Sequence, residues 1–545
     1  MTVLASTTEL PRLRQARAVT LARAWWVPLA VILAAQAALS ARLMHLGYAS
    51  GDEARYIYAG HQLIHEFWHG GGSPYFETYF SGAPVLYCPI AAVVDHFGGL
   101  IAVRLMSTML MLGATSILYA TTRRLFGYWP AVAAAGLFAG LGLTQVLGAY
   151  ADYDSLALTL MAAAAYCAVR TREDEPRSAR WLIVLPAVIL AANIAKYVTV
   201  AFDPVVISIA ALQLQPLGWQ RVLRRLAALS AATGALLLGA LYLAGTAYLS
   251  GILFTTLNRP SGTQVVFQGV SESTRSIVSV TWSWIGLALV LSATAVVIAV
   301  AVRRDRQHVL LLLVLTIAGI LVTAEGIHLH TTESMKRHDD FSAWFTCVAA
   351  GYALARLIDA LKGWAARVAA ILAAAAVVVL SGMHYSPSAP GLYPAHTVQS
   401  QVQAFGVLKP YLALHDGRFL LGGLTDDLML YTEHLGVPWY QHFDDVYIKY
   451  PIPGRGGDSH GEIRGRACMK LRAGCMYLEG DAGYQAAIRA HWFAVISMIG
   501  AHNGVLPQDK AIEKAVASTP GYVLLTRAGG APTWIYAPAF RSAAR

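Results

Sequence analysis

The chain has 545 residues, of which 56% are hydrophobic and only 13% are charged. About a quarter of the residues in a soluble domain are charged, so this composition excludes an ordinary soluble protein and predicts that most of the chain lies in lipid. The formal net charge of +10 is carried by short arginine clusters between long apolar runs, a pattern that sets membrane orientation and does not indicate nucleic-acid binding.

Apolar segments long enough to cross a bilayer recur along the chain. A spanning helix needs about 20 mostly apolar residues, and we expect about eleven transmembrane helices. The two segments flanking Lys196 are short, so they are either two spans or one re-entrant hairpin. The first span is expected to be retained, because no clear small-residue cleavage site follows it. The predicted spans begin near Ala24, Leu100, Tyr128, Asp154, Trp181, Tyr197, Leu226, Ile277, His308, Phe341 and Trp364.

The basic clusters between these segments predict the orientation. With eleven spans, every cluster falls on one side, which the positive-inside rule makes the cytoplasm. We therefore expect a multi-pass protein of the bacterial plasma (inner) membrane, with a cytoplasmic N-terminus and an extracytoplasmic C-terminal domain. The clusters are Arg12 to Arg23, Arg123/Arg124, Arg170 to Arg180, Arg221/Arg224/Arg225, Arg303/Arg304/Arg306 and Lys362/Arg367.

Residues 47–99 are predicted to form one long external loop. The apolar run Pro84 to Phe97 has only 14 residues and contains Asp95, so it is too short to span and is expected to be an interfacial helix. The segment Asp52 to Phe67 is predicted as a second juxtamembrane helix. Loops of this length are usually functional.

Residues 1–383 are predicted to form the transmembrane domain, and residues 384–545 a soluble extracytoplasmic α/β domain. Prolines mark the linker, and short apolar runs alternate with polar turns after it. Cys468 and Cys475 lie seven residues apart in this region and are either disulfide-bonded or free. The predicted strands are Arg418 to Gly422, Phe493 to Met498 and Tyr522 to Leu525, and the predicted helices are Thr425 to Leu435, Tyr484 to His491 and Gln508 to Ala517.

Two pairs of carboxylates follow predicted spans on the external side. Asp52 and Glu53 fit a general base for an acceptor hydroxyl, but Asp52 also fits a helix N-cap. Asp152 and Asp154 return to the same face, where ionisable groups at membrane depth tend to be functional and one of the two is expected to be a cap.

Three cations lie on the external face, against the positive-inside bias. Lys196 follows the fifth span, and Lys336 and Arg337 precede the tenth. Such cations could hold a lipid phosphate and stabilise the charge that grows on it as it leaves. Snorkelling to lipid head groups is the alternative interpretation.

Other polar and aromatic side chains are concentrated in the loop. Glu77 lies among aromatic residues that either stack on sugars or form an interfacial belt. His61, His65 and His69 recur at helical spacing, which permits a metal-binding stripe or simply a polar surface. A divalent metal is therefore possible, but no metal site is assigned and none is required. The tyrosines in question are Tyr56, Tyr58, Tyr75, Tyr79 and Tyr87.

Five motifs occur in a specific order: Asp52-Glu53-Ala54-Arg55-Tyr56, Pro74-Tyr75-Phe76-Glu77, Arg104, Arg123-Arg124-Leu125-Phe126-Gly127 and Asp154. In this order and spacing they resemble the GT-C fold glycosyltransferases of the aminoarabinose transferase and protein O-mannosyltransferase superfamily. The resemblance is best over about the first 200 residues and weak in the C-terminal domain.

The resemblance implies inverting transfer of a single sugar from a polyprenyl-phosphate donor to a cell-envelope acceptor, which is a lipid, glycan or protein, on the extracytoplasmic face. It implies Asp52 as the catalytic carboxylate and Asp154 as the second acidic position. Lys196, Lys336 and Arg337 match the phosphate-holding cations. We also expect Glu53, Glu77, Asp154 and Tyr56 to contact acceptor or sugar.

One departure from the family pattern affects the substrate. Thr78 follows Glu77, whereas family members that modify lipid A have lysine at that position. Hexosyl or pentosyl transfer to another envelope acceptor is therefore the expected reaction. The rival interpretations are a transporter or flippase for a lipid-linked substrate, and a structural protein of envelope assembly. Transport predicts charges near mid-membrane and inverted repeats, whereas these charges lie at span ends and no repeat occurs.

Overall fold

The described residues before residue 385 are almost entirely helical in the computed structural model. The C-terminal α/β region, defined here as residues 406–541, follows it. The structure describes residues 26–44, 49, 51–70, 76, 80–172, 177–214, 218–253, 255, 273–302, 304–330, 332, 335–384, 406–412, 417–422, 429–431, 437, 441–443, 448–451, 477–498, 507–527 and 532–541.

The long apolar runs form helices because a helix satisfies every backbone hydrogen bond within its own segment, as lipid requires. In chain order these are α1 Val27–Ala41, α2 Gly51–His69, α3 Pro84–Phe126, α4 Tyr128–Gly140, α5 Gly142–Ala149, α6 Tyr153–Val169, α7 Ser178–Ala195, a 3-10 helix Tyr197–Phe202, α8 Asp203–Ala211, α9 Trp219–Ala244, α10 Thr246–Leu253, α11 Thr274–Ala301, α12 Arg306–Ala318, α13 Leu321–Leu329, α14 Met335–Ala360 and α15 Trp364–His384.

Six described helices are long and apolar enough to cross a membrane, counting α12 and α13 as one, and the pair α4 and α5, bent by 65°, makes up to seven. The shorter apolar helices are α1, α6, the 3-10 helix together with α8, and Trp364–Ala376 of α15. Every predicted span start lies in or beside one of these helices. The chain is therefore a multi-pass membrane protein, and the count of eleven spans stays a prediction.

Three breaks in the helices shape the site. Gly99 interrupts α3 with φ 65°, a conformation that glycine adopts without strain, and so separates the predicted helix Pro84 to Phe97 from the span after it. Leu141 is extended between α4 and α5. Lys196 is extended between α7 and the 3-10 helix. The break at Lys196 brings a charged side chain to the end of an apolar helix.

Close packing of α14 holds the helical core together. A Cβ added to Gly351 would lie 2.4 Å from the Pro130 carbonyl oxygen, so this glycine lets α14 approach α4 closely. The indole nitrogen of Trp344 donates a hydrogen bond to the Ala114 carbonyl of α3 at 3.1 Å. Since Arg337 lies near the start of α14, this packing also fixes the position of its backbone.

The C-terminal α/β region contains seven described strands and three helices that are numbered here. They are β1 Arg418–Leu421, β2 His442–Phe443, β3 Lys449–Pro451, β4 Tyr477–Glu479, α16 Gly480–Arg489, β5 Phe493–Ser497, α17 Pro507–Ser518, β6 Tyr522–Thr526, β7 Thr533–Tyr536 and α18 Ala537–Arg541. Five strands form a mixed sheet in the order β2-β1-β5-β7-β6, and β3 and β4 form a separate pair. Strand β1 runs parallel to β2 and β5, and β7 runs antiparallel to β5 and β6. Buried side chains of α16 and α17 pack on the sheet.

The three strands and the last two helices predicted for this region are confirmed within a few residues. The predicted helix Thr425 to Leu435 is described only at residues 429–431, which are helical. Cys468 and Cys475 lie outside the described residues, as does the proposed linker after Met383. The domain boundary and the extracytoplasmic placement therefore stay predictions.

Candidate active site

Arg337, in the first turn of α14, links two carboxylates from distant parts of the chain. Its Nη2 lies 2.5 Å from Asp52 Oδ2, and its Nη1 lies 3.2 Å from Asp152 Oδ2. The side chains of Asp52 and Arg337 are 31% and 29% exposed, whereas Asp152 is buried. We call this group the Arg337 bridge. A cation that is partly exposed and held by two carboxylates can exchange one of them for another anion.

Glu53 fixes the position of Asp52. Its two carboxylate oxygens each accept a hydrogen bond from Arg104, at 2.8 Å, and both side chains are wholly buried. One oxygen also accepts from the Ala151 backbone N–H at 2.8 Å. Glu53 thus ties α2 to α3 and to the residue before Asp152, a geometry that favours positioning. Its predicted contact with acceptor or sugar stays a prediction.

Asp152 ends the extended segment after α5 and caps α6. Its Oδ1 accepts a hydrogen bond from the Asp154 backbone N–H at 3.2 Å, as an N-cap residue does. Burial raises the pKa of Asp152 to about 8; repulsion by Asp154 adds to the rise, and Arg337 and Lys196 oppose it. The expectation that one member of this acidic pair is a cap is confirmed for Asp152.

Lys196 forms an ion pair with Asp154, and both side chains are buried. Its ammonium nitrogen also lies 4.8 Å from the centroid of the Tyr153 ring. The lysine and the aspartate that the sequence placed on one face are therefore direct partners. In this arrangement the charge of Lys196 is already compensated before any ligand binds.

The break at Lys196 is held by backbone contacts with the segment before α3. Ala83 N–H donates to the Ile194 carbonyl, and Tyr197 N–H donates to the Ser81 carbonyl, each at 2.8 Å. A Cβ at Gly82 would lie 2.2 Å from the Ala195 carbonyl oxygen, so only glycine permits this approach. The end of the first loop and the lysine are thus fixed to each other.

Tyr56 lies one helical turn after Asp52 and packs in a cluster of rings. Its ring centroid is 4.3 Å from that of Tyr153 and 5.2 Å from that of Phe80. Burial, with repulsion from Asp52, raises the pKa of Tyr56 well above its usual value, so the phenol keeps its proton. Tyr56 is only 5% exposed, and its predicted contact with sugar stays a prediction.

Several other predicted residues contribute differently. Glu77 and the side chain of Lys336 lie outside the described residues, as do Tyr75 and Tyr79. Tyr58 and Tyr87 are buried in the core, which rules out stacking on a bound sugar in this conformation.

The histidine stripe does not form a metal centre. His61 contacts Asp95 at 3.0 Å, whereas His65 stacks on His69. Among the described residues, no three His, Cys, Asp or Glu side chains are placed to hold a metal ion. His61 is instead part of the contact between α2 and α3, and His65 and His69 are exposed.

Three charged residues of the site were given no role by the sequence. Arg104 holds Glu53, Asp340 accepts a hydrogen bond from Thr144 at 2.8 Å, and Asp339 is buried beside it. The sequence did carry a signal for all three, because ionisable residues within apolar helices tend to be functional. The run 336–340 was interpreted through its cations alone.

The chain resembles solved structures over almost its whole length. It matches the crystal structure of ArnT from Cupriavidus metallidurans bound to undecaprenyl phosphate at TM-score 0.56 and 16% identity, covering 94% of this chain and 98% of that chain. The apo structure of the same protein matches at TM-score 0.56 and 15% identity, over 95% and 99%. The chain therefore has the GT-C fold.

The sequence carries a family pattern within that fold. Residues 84–244 match the family model for dolichyl-phosphate-mannose-protein mannosyltransferase, and this segment includes Asp152, Asp154 and Lys196. The oligosaccharyltransferase of Archaeoglobus fulgidus matches at TM-score 0.49 and 12% identity, over 77% of this chain and 64% of that chain. No curated protein matches the sequence. The resemblance to the GT-C superfamily is confirmed.

Proposed function

We propose that the protein is a membrane glycosyltransferase that moves a single sugar from a polyprenyl-phosphate donor to a cell-envelope acceptor, with inversion. The observation that carries this proposal is the Arg337 bridge, in which a partly exposed cation lies between a partly exposed carboxylate and a buried one. The match to a structure that holds undecaprenyl phosphate supports a lipid phosphate as the anion. The sugar is a hexose or a pentose.

In the proposed mechanism, the donor phosphate takes the place of Asp52 on Arg337. A guanidinium presents parallel N–H groups that match a phosphate, so the exchange replaces one charge-assisted contact with another. Asp52 is then free to accept a proton. Because Glu53 is anchored to Arg104 and to Ala151, the backbone of Asp52 stays in place during this exchange.

The reaction is a direct displacement at the anomeric carbon. The acceptor hydroxyl oxygen forms the new glycosidic bond while the bond from the anomeric carbon to the phosphate oxygen breaks. The electron pair of that bond leaves with the phosphate, and Arg337 stabilises its charge. Asp52 takes the hydroxyl proton as general base. One displacement inverts the anomeric configuration.

The remaining predicted residues have supporting roles in this proposal. Lys196, neutralised by Asp154, holds the turn that carries Asp152. Lys336, adjacent to Arg337 in sequence, is a second candidate for the phosphate. Glu77 and Tyr56 contact acceptor or sugar.

The site is proposed to face the extracytoplasmic side of the bacterial plasma membrane. The basic clusters support a cytoplasmic N-terminus, and an odd number of spans places the C-terminal α/β region on the opposite side. This placement would put acceptor, donor head group and C-terminal region in one compartment.

The test is sugar transfer by the purified protein in liposomes, using a panel of radiolabelled polyprenyl-phosphate sugars and an envelope extract as acceptor. We expect transfer with one donor, lowered about 100-fold or more in Asp52→Asn. Asp95→Asn is the matched control, because it removes a carboxylate of the same loop outside the Arg337 bridge, and it is expected to be active.

Two outcomes would contradict the proposal. Equal transfer by wild type and Asp52→Asn would remove Asp52 from the chemistry. Movement of the lipid-linked sugar across the vesicle membrane without transfer from any donor would favour the transporter.

A further inference from the structure

The C-terminal α/β region reaches into the active-site loop through one short helical segment, residues 429–431. Leu430 is only 4% exposed and belongs to the same buried cluster as Ala54, Tyr56 and Tyr153. Met429 and Tyr431 pack against the edge of this cluster. Among the described residues of the C-terminal region, these three alone join it. The contact therefore ties that region to the helix that carries Asp52.

Tyr431 adds a polar contact to this packing. Its hydroxyl accepts a hydrogen bond from the backbone N–H of Ala49 at 2.6 Å, across 382 residues of sequence. Ala49 is wholly buried and lies three residues before Asp52. A buried backbone N–H without a partner is costly, so this hydroxyl stabilises the position of the chain at Ala49.

The other anchor of the loop is Arg104. Its guanidinium holds Glu53 at 2.8 Å and contacts the Met44 carbonyl at 3.4 Å. The chain around Asp52 is thus held before it by Tyr431, through Ala49, and after it by Arg104, through Glu53. One of these two anchors comes from outside the helical core.

We propose that Tyr431 and Leu430 are positioning residues for Asp52, so that the C-terminal α/β region completes the active site of the transferase. The inference rests on the proposed function for its kinetic consequence. Displacement of the C-terminal region would release Ala49 and lower the rate of the chemical step, without removing the Arg337 contact that binds the donor phosphate.

The kinetic test compares Tyr431→Phe with wild type in the transfer assay. This variant keeps the ring and removes only the hydroxyl, so it is expected to fold. We expect kcat to fall about three- to tenfold, the effect of one neutral hydrogen bond, with KM for the donor unchanged. Tyr411→Phe is the control: Tyr411 lies in the same region but packs on Phe540, in another cluster, and its variant is expected to match wild type.

A second readout does not depend on enzyme activity. Amide hydrogen exchange over residues 49–52 is expected to be about tenfold faster in Tyr431→Phe than in wild type, and unchanged in Tyr411→Phe. Faster exchange in a protein that transfers no sugar would support the anchor and contradict the proposed function. Unchanged exchange and unchanged kcat in Tyr431→Phe would overturn the inference.

Discussion

The site contains two kinds of ion pair that differ in exposure. The Glu53 and Arg104 side chains are 0% exposed and joined by two hydrogen bonds, whereas Asp52 and Arg337 are 31% and 29% exposed. A buried pair cannot open without leaving an uncompensated charge in a low dielectric, so it can only hold structure. A partly exposed pair contributes little stability and opens at little cost. The difference assigns positioning to Glu53 and substrate exchange to Arg337.

The largest expected effect comes from breaking the buried pair. Glu53→Gln removes the negative charge and leaves the Arg104 guanidinium buried without its counter-ion. We expect the free energy of unfolding to fall by about 3–5 kcal/mol, measured by denaturant or thermal unfolding in detergent. The double variant Glu53→Leu/Arg104→Leu is the control, because removing both charges is expected to restore most of the stability. Wild-type stability in Glu53→Gln would contradict the assignment.

A smaller and different effect is expected from the exposed pair. Arg337→Ala is expected to weaken binding of undecaprenyl phosphate about 10- to 100-fold, the effect of losing charge-assisted hydrogen bonds. Its unfolding free energy is expected to fall by less than that of Glu53→Gln, because the pair with Asp52 is screened by solvent and only the contact with Asp152 is buried. Arg337→Lys keeps the positive charge but lacks the parallel N–H groups of a guanidinium. Its affinity for undecaprenyl phosphate is expected to lie between those of wild type and Arg337→Ala. If Arg337→Ala were strongly destabilised but bound undecaprenyl phosphate as tightly as wild type, Arg337 would be a structural residue and not a substrate-binding one.

A backbone contact gives the next prediction. Gly82→Ala places a Cβ 2.2 Å from the Ala195 carbonyl oxygen and forces the break at Lys196 to shift. We expect a loss of about 1–3 kcal/mol of unfolding free energy. Gly234→Ala in α9 is the matched control, because a Cβ there meets no atom within 4 Å. Equal stability of the two variants would show that the contact at Gly82 is not tight.

The smallest expected effect is the pH dependence of lipid binding. Burial raises the pKa of Asp152 to about 8, so below that pH its carboxyl is neutral and does not compete with phosphate for Arg337. Above that pH, the ionised carboxylate of Asp152 competes with the phosphate for Arg337. Affinity for undecaprenyl phosphate is therefore expected to fall as pH rises through about 8, by at most about tenfold per pH unit.

The variant Asp152→Asn tests whether Asp152 is the group whose titration changes the affinity. The variant is expected to bind with no pH dependence between about 7 and 9, measured by tryptophan fluorescence. The raised pKa of Asp152 also affects stability. An aspartate in the unfolded chain has a pKa of about 3.9, so the folded protein binds this proton more tightly than the unfolded chain does. The contribution of Asp152 to stability therefore falls as pH rises from about 4 to 8. If the affinity of Asp152→Asn still changed between about pH 7 and 9, a group other than Asp152 would be responsible for the pH dependence.

The sequence predicted the helices better than their breaks. Apolar runs of about 20 residues determine where helices form in lipid, so the helix positions follow from composition alone. The break at Lys196, for example, depends on backbone hydrogen bonds that join it to residues 81–83. These contacts join segments that are far apart in sequence, and no local pattern encodes them.

The candidate site was predicted as a set of residues but not as a set of pairs. Asp52, Asp154, Lys196 and Arg337 were expected on one face, and the structure pairs Lys196 with Asp154 and Arg337 with Asp52. The sequence did not indicate that Lys196 is neutralised by Asp154, or that Glu53 faces Arg104 instead of solvent. Such partners are separated by 42 and 51 residues and are selected by helix packing.

The most direct test of the exchange at Arg337 is the affinity of Asp52→Asn for undecaprenyl phosphate, measured beside wild type under the same conditions. The account predicts that the variant binds this lipid as tightly as wild type or more tightly, because removing the carboxylate frees Arg337. Binding weakened tenfold or more would contradict it, since Asp52 would then hold the lipid phosphate site together rather than compete for its cation.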